Sequence, residues 1–161
     1  MANTLILLRH SKSAWPQDDT PDAQRPLAGR GRRDAPAVGR WLREHAPTID
    51  LVLCSPAMRA RQTWDLAAAQ LDAEPPVRYE ERLYGSCAEV FLLLTQELPG
   101  AASTVALVGH NPSLEDFLEL LTGAVELLKT SAIAVVTTPA SWAQTRPGSC
   151  ALEALATPRG G

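Results

Sequence analysis

Lysine is nearly missing from this chain: Lys12 and Lys129 are the only two in 161 residues, against thirteen arginines. Cysteine is scarce as well. Cys54, Cys87 and Cys150 are odd in number, widely separated and without CxxC or Cys/His spacing. That pattern excludes a disulfide framework and a zinc motif and suits a reducing compartment. No apolar run approaches the roughly 18 residues a membrane helix needs. The opening "MANTLILLRH" has neither the basic start nor the long apolar stretch of a secretory signal. A cytoplasmic protein that contacts no membrane is therefore expected. Positive charge is not in surplus either: the formal net charge is −3, the wrong balance for gripping nucleic acid through its phosphates. Internal repeats, a glycine-rich phosphate loop and an acidic metal cluster are all lacking.

What is present suffices for one sizeable core, since 45% of the residues are hydrophobic. A single domain over residues 1–157 is expected, with "PRGG", residues 158–161, as a frayed tail. The arginine fork suits phosphate and carboxylate oxyanions better than lysine's point charge. Codon bias accounts equally well for the total, so position has to decide. Arg25, Arg30, Arg32 and Arg33 crowd one segment, which by itself reads as a solvated helix face.

Leu5 to Leu8 is a continuous apolar run, the pattern of a strand covered on both faces. A loop through "DDTPDAQRPLAGRG" leads to a helix over about 28–45, where Pro36 predicts a kink or a separate first turn. "IDLVLCSP" predicts a second buried strand, closed by Pro56 at a position that suits the first turn of a following helix, over 57–71. "PPVRY" predicts a short strand, 88–98 a helix, 104–108 a strand, and a further helix starts near Pro112. "SAIAVVTT" and "CALEALAT" predict the last two strands. Strands alternating with helices of this length give an α/β class, a three-layer α/β/α sandwich with a mainly parallel central sheet. Ligands in such sheets bind beyond the carboxyl ends of the strands.

Three predicted strands end in groups with chemistry: Arg9-His10, then Ser55 with Arg59 four residues on, then His110-Asn111. Adjacent residues point to opposite faces in mid-strand, so Arg9 and His10 share a site only where the strand exits and the alternation breaks. Ser11 and Ser13 are small enough to leave room there for an anion near loop N–H groups. Arg59 falls in the first turn of its helix, where the helix dipole adds to its charge. Arginine cannot deprotonate to ligate a metal, so two histidines and two arginines make a poor metal site and a good phosphate site. A neutral imidazole there can attack phosphorus and form a phosphohistidine that water later cleaves. Arginines supplying the charge leave no need for a metal or cofactor. Taken singly, each of these residues has a structural explanation; their shared rim is what favours catalysis.

"LILLRHSKS", "CSPAMRARQT" and "LVGHNPSL", in this order and spacing, resemble the motifs of the histidine phosphatase superfamily. The match is to its phosphoglycerate mutase-like fold and small SixA-type phosphohistidine phosphatase branch, over about Thr4 to Val136, "RPLAGRG" and "SAIAVV" included. The resemblance implies that His10 is the nucleophile, while Arg9, Arg59 and His110 bind the phosphoryl group and stabilise its transition state. Arg25 of "RPL" would join the pocket's rim. Ser11 stands where the family usually has glycine. Trp15 is a candidate for the pocket lip.

Family members acting on esters carry a carboxylate to protonate the departing oxygen. "EERLYG" offers Glu80 or Glu81 for this, which would make small phosphate monoesters substrates. The leaving imidazole of a phosphohistidine needs less help, and so short a chain leaves an open rim. A phosphorylated protein, for example a phosphorelay domain, is therefore the expected partner. The alternatives are a small phosphate ester as substrate, or a non-catalytic phosphate-binding module.

Overall fold

The computed structural model describes residues 2–16 and 19–161. In chain order its elements are β1 (Asn3–Arg9), α1 (Gly29–His45), β2 (Leu51–Cys54), α2 (Met58–Ala68), β3 (Val77–Tyr79), α3 (Ala88–Gln96), β4 (Thr104–Gly109), α4 (Ser113–Thr122), β5 (Ile133–Thr138) and β6 (Ala151–Ala156). The strands form one sheet in the order β3-β2-β4-β1-β5-β6. The β1/β4, β2/β4 and β2/β3 pairs are parallel, and β5 is antiparallel to both its neighbours.

Strand alternation builds three layers from continuous apolar runs. Leu5 and Leu7 of β1, with Leu53, Val105 and Leu107, pack against Phe91 of α3 and Phe117 and Leu118 of α4. Ile6 and Leu8, with Val52, Cys54 and Val108, pack the other way against Val38 and Leu42 of α1 and Trp64 of α2. The four central strands are buried on both faces, as near-unbroken runs of Val, Leu and Ile require.

Helices α1 and α2 cross closely. A Cβ on Gly39 would collide with the Ala67 carbonyl oxygen, a backbone atom that cannot turn aside. Gly39→Ala is expected to lower stability by about 3 kcal/mol, a value typical of overpacking against a rigid wall. Urea unfolding checks it, and an unchanged midpoint would mean that the helices can separate at little cost.

Three expectations need correction. Helix α1 runs unbroken through Pro36, because flanking residues such as Ala35 and Val38 are anchored in the core. Pro56 lies before the cap residue Ala57 rather than inside α2. The tail is docked, not frayed: Arg159 Nη1 donates to Asp34 Oδ2 (2.9 Å) and to the Thr130 carbonyl (3.0 Å), and Gly160 N donates to Asp34 Oδ1 (2.9 Å). Asp34 is 1% exposed, and a buried carboxylate needs such partners.

Candidate active site

The carboxyl ends of β1, β2 and β4 meet at one rim. His10 N donates to Gly109 O and Ser55 N to Val108 O, so the three exits are hydrogen-bonded to one another (3.1 and 2.9 Å). Strand β5 starts at the same rim, with Ile133 paired to Leu8. Just before it, Ser131 N donates to the Arg9 and His10 carbonyls. A pocket opens here, lined by Arg9, His10, Arg25, Arg59, His110 and Asn111, with Lys12, Ser13, Trp15 and Thr130 at its edges.

His10 is 7% exposed. Its Nδ1 lies 2.7 Å from the Ser11 carbonyl oxygen. A carbonyl only accepts, so Nδ1 carries the proton and Nε2 is left with the free lone pair. Burial, outweighing the Ser11 hydrogen bond and aided by His110, Arg59 and Arg9, pushes the His10 pKa down to about 3. His110 stands beside it, ring centroids 5.1 Å apart. Burial and then Arg59 lower the His110 pKa to about 4. His110 Nε2 meets Ser55 Oγ at 2.7 Å, while Ser55 Oγ itself accepts from Ala57 N (3.2 Å). The hydroxyl proton is thus free to go to Nε2, which leaves the imidazole proton on Nδ1.

Arg9 Nη1 and Asn111 Nδ2 both donate to the Leu128 carbonyl (2.9 and 2.7 Å), so the segment before β5 holds the two side chains together. Arg9 Nε, His110 Nδ1 and Asn111 Oδ1 are buried with no protein partner, half of the six such atoms among the described residues. Each costs about 1–3 kcal/mol, and their concentration at one pocket is what a functional site leaves in a stable fold.

Arg59 is placed by the first turn of α2 and Arg25 by the loop before α1. Between them lies a residue that the sequence reading missed. The Asp22 carboxylate accepts from Arg25 Nη1 (3.1 Å), Arg59 Nη2 (3.0 Å) and the Tyr84 hydroxyl (2.7 Å), and its carbonyl accepts from Arg59 Nη1 (2.8 Å). These bonds, Tyr84's foremost, hold the Asp22 carboxyl down to a pKa of about 2. Arg25 also donates to Ser13 Oγ and Ala14 O, and its guanidinium lies 3.3 Å from the centroid of the exposed Trp15 ring. Asp22 precedes Arg25 by three residues, a spacing that could have suggested an ion pair; its reach to Arg59 had no sequence signal.

The Ser11 N–H is not among the loop N–H groups open to an anion, because it donates to Thr63 Oγ1 (2.9 Å). Its hydroxyl is buried against Ser131 Oγ (2.6 Å), so the bulk in place of glycine is directed away into a polar pair. From "EERLYG" it is Tyr84, edge-on to His110, that reaches the site. The Glu80 carboxylate is taken by Arg82, and the residues lining the pocket include neither Glu80 nor Glu81.

A family model described as histidine phosphatase superfamily (branch 1) matches residues 5–101. The chain belongs to the histidine phosphatase superfamily. An uncharacterized protein of Mycobacterium tuberculosis is 40% identical over 94% of this chain and 100% of its own length. An uncharacterized chloroplastic protein of Arabidopsis thaliana is 32% identical over 98% of this chain and 79% of its own. Among solved structures, a candidate phosphohistidine phosphatase SixA from Nakamurella multipartitia superposes with a TM-score of 0.87 at 32% identity, over 98% and 97% of the two chains. The protein histidine phosphatase SixA in complex with tungstate shares the fold, with a TM-score of 0.83 at 23% identity over 96% and 97%. The chain falls in the SixA-type branch of the superfamily, with its phosphoglycerate mutase-like fold. Among the described residues no helix is long and apolar enough to cross a membrane.

The histidine pKa values of this phosphatase link to stability. His10 binds a proton in the unfolded chain below its ordinary pKa of 6.5, but in the folded chain only near 3. Between those values the unfolded state holds more protons, so stability falls as the pH falls. From pH 7 to pH 5 this histidine alone is expected to remove on the order of 1–2 kcal/mol. Urea unfolding at both pH values checks it: the loss should be smaller in His10→Ala than in the wild type, and equal losses would mean that His10 titrates normally.

Proposed function

We propose that the protein is a metal-independent phosphatase that works through a covalent phosphohistidine on His10 and acts on phosphohistidine in proteins. The observation that carries this is the state of His10: a buried, neutral imidazole with Nδ1–H fixed on the Ser11 carbonyl and its Nε2 lone pair free, beside the Arg9 and Arg59 cations. Nε2 attacks phosphorus, and the bond from phosphorus to the substrate's imidazole breaks with its electron pair returning to that ring, which takes its proton from solvent. Water then attacks the phosphorus of phosphoryl-His10, the P–Nε2 bond breaks, and inorganic phosphate and neutral His10 remain. The transferring group spreads negative charge over its equatorial oxygens, so Arg9, Arg59 and the Nδ1–H of His110 act mainly by charge and position. Arg25, tied to Ser13 and Ala14, supplies charge at the edge of the pocket.

Leaving-group chemistry favours the phosphoamide over an ester. An alkoxide needs a proton donor, and the carboxyl bonded to Arg25 and Arg59, that of Asp22, is held ionised. The Tyr84 hydroxyl is no substitute, because its bond to Asp22 raises its pKa. The exposed Trp15 ring at the edge of the pocket suits a macromolecular substrate, and the 32% identical Nakamurella multipartitia protein, a candidate phosphohistidine phosphatase, supports the same substrate class.

The test is turnover of a phosphohistidine protein against a panel of small phosphate monoesters, each with and without chelator. Higher kcat/KM on phosphohistidine, indifferent to chelator, is expected. A strong preference for esters overturns the substrate, and chelator-sensitive turnover overturns the mechanism. Phosphate binding without turnover would leave a binding module.

A further inference from the structure

Among the described residues, Asp22 is the one carboxylate ion-paired to the arginines of the pocket, and the reaction steps above do not use it. Its placement is informative. The side chains of Arg25 and Arg59 are about one-tenth exposed, at 10% and 9%, whereas that of Asp22 is 49% exposed. Asp22 is therefore the solvent-facing partner of both guanidinium groups, while His10 is only 7% exposed. In-line displacement sends the leaving atom away from His10, on the far side of phosphorus. That side faces solvent, as the Asp22 carboxylate bonded to Arg25 and Arg59 does.

We infer that Asp22 selects the leaving group by charge while it locks Arg25 and Arg59 into one clamp. This rests on the phosphohistidine reading above and deepens it. The clamp follows from the hydrogen bonds: the carboxylate bridges Arg25 Nη1 and Arg59 Nη2, and the Asp22 carbonyl takes Arg59 Nη1. Arg59 is thus gripped end-on at both terminal nitrogens, which leaves Nε–H and the outer Nη hydrogens for a phosphoryl group. The Tyr84 hydroxyl, donating to the same Oδ2, fixes the carboxylate in turn.

Selection follows from the sign of the charge. When a phosphohistidine is cleaved, the electron pair returns to an imidazole that is protonated in the process, so no negative charge builds on the leaving group. Cleaving an ester builds negative charge on oxygen at the same place. A fixed carboxylate bonded to the pocket's arginines favours the first and opposes the second, and at the edge of a protein one such charge is worth on the order of tenfold in rate. Its neutral replacement therefore narrows the gap between the two substrates.

The experiment measures kcat/KM of wild type, Asp22→Asn and Asp22→Glu on a phosphohistidine protein and on p-nitrophenyl phosphate. In Asp22→Asn the ratio of the two values is expected to fall about tenfold. Asp22→Glu keeps the charge but displaces the clamp, so both rates should fall while the ratio stays near the wild-type value. A ratio unchanged in Asp22→Asn, both rates dropping together, overturns selection and leaves a purely structural residue. A ratio that falls equally in Asp22→Glu overturns the assignment to charge. Thermal melts show whether each variant is folded, and a variant that has unfolded is replaced by Asp22→Ser in the same comparison. Wild-type enzyme that ignores phosphohistidine refutes the proposed function instead, a result seen before any variant is compared.

Discussion

His10→Ala is expected to lower kcat by 10⁴-fold or more, the scale on which removing a covalent nucleophile acts, and to abolish any phosphoenzyme. The reason lies in how the imidazole is prepared. Burial holds its pKa near 3, so at neutral pH almost every molecule carries the free lone pair. The Ser11 carbonyl fixes the Nδ1–H tautomer, which puts that lone pair on Nε2. Alanine leaves a gap that water can enter, but no group able to form the P–N bond. Arg9, Arg59 and His110 are untouched, so the variant should still bind inorganic phosphate. Acid-quenched labelling with radioactive substrate, together with phosphate inhibition of residual turnover, gives both readouts. Hydrolysis at the wild-type rate would remove His10 from the nucleophile's role.

Arg59→Ala carries the second large effect, a fall in kcat/KM of about 10³-fold, within the range for losing a charge that stabilises a transferring phosphoryl group. Arg59→Lys should recover little of it. The guanidinium is committed through two nitrogens to Asp22 and has further N–H groups to offer an anion; an ammonium is a single point that cannot serve both. Losing the partner of a half-exposed carboxylate should cost little stability, because Asp22 keeps Arg25 and Tyr84 and is reached by water. Steady-state kinetics beside thermal melts separates the two effects. A lysine variant within threefold of wild type would show that charge alone suffices, and the fork would lose its place in the clamp.

The layered architecture was legible because it is a matter of local pattern. Leu5 to Leu8 and the apolar runs around Val52 and Val105 are buried on both faces, and unbroken apolar runs between helical stretches admit few other arrangements. Arg9, His10, Arg59 and His110 could be read for a related reason. They sit at or just beyond the ends of those runs, and parallel strands bring their carboxyl ends to one rim.

What could not be read depends on contacts between distant segments. The direction of β5 is one case: the chain after α4 climbs back through residues 123–132, so β5 enters at the rim and runs antiparallel to β1. That return places Leu128 and Ser131 against Arg9, Asn111 and Ser11. Asp22 and Tyr84, sixty-two positions apart, are another case, since nothing in either segment announces the other. The docked tail is a third, because the buried Asp34 that receives it lies 125 residues from Arg159.

By itself, then, the sequence determined the layers, the rim and the four side chains that gather there, Arg9, His10, Arg59 and His110, because hydrophobic periodicity acts over a few residues at a time. Tertiary structure alone decided the tautomer of His10, the direction of β5 and the carboxylate that joins Arg25 to Arg59. Those depend on hydrogen bonds a few ångströms long between segments that only the packed core brings together.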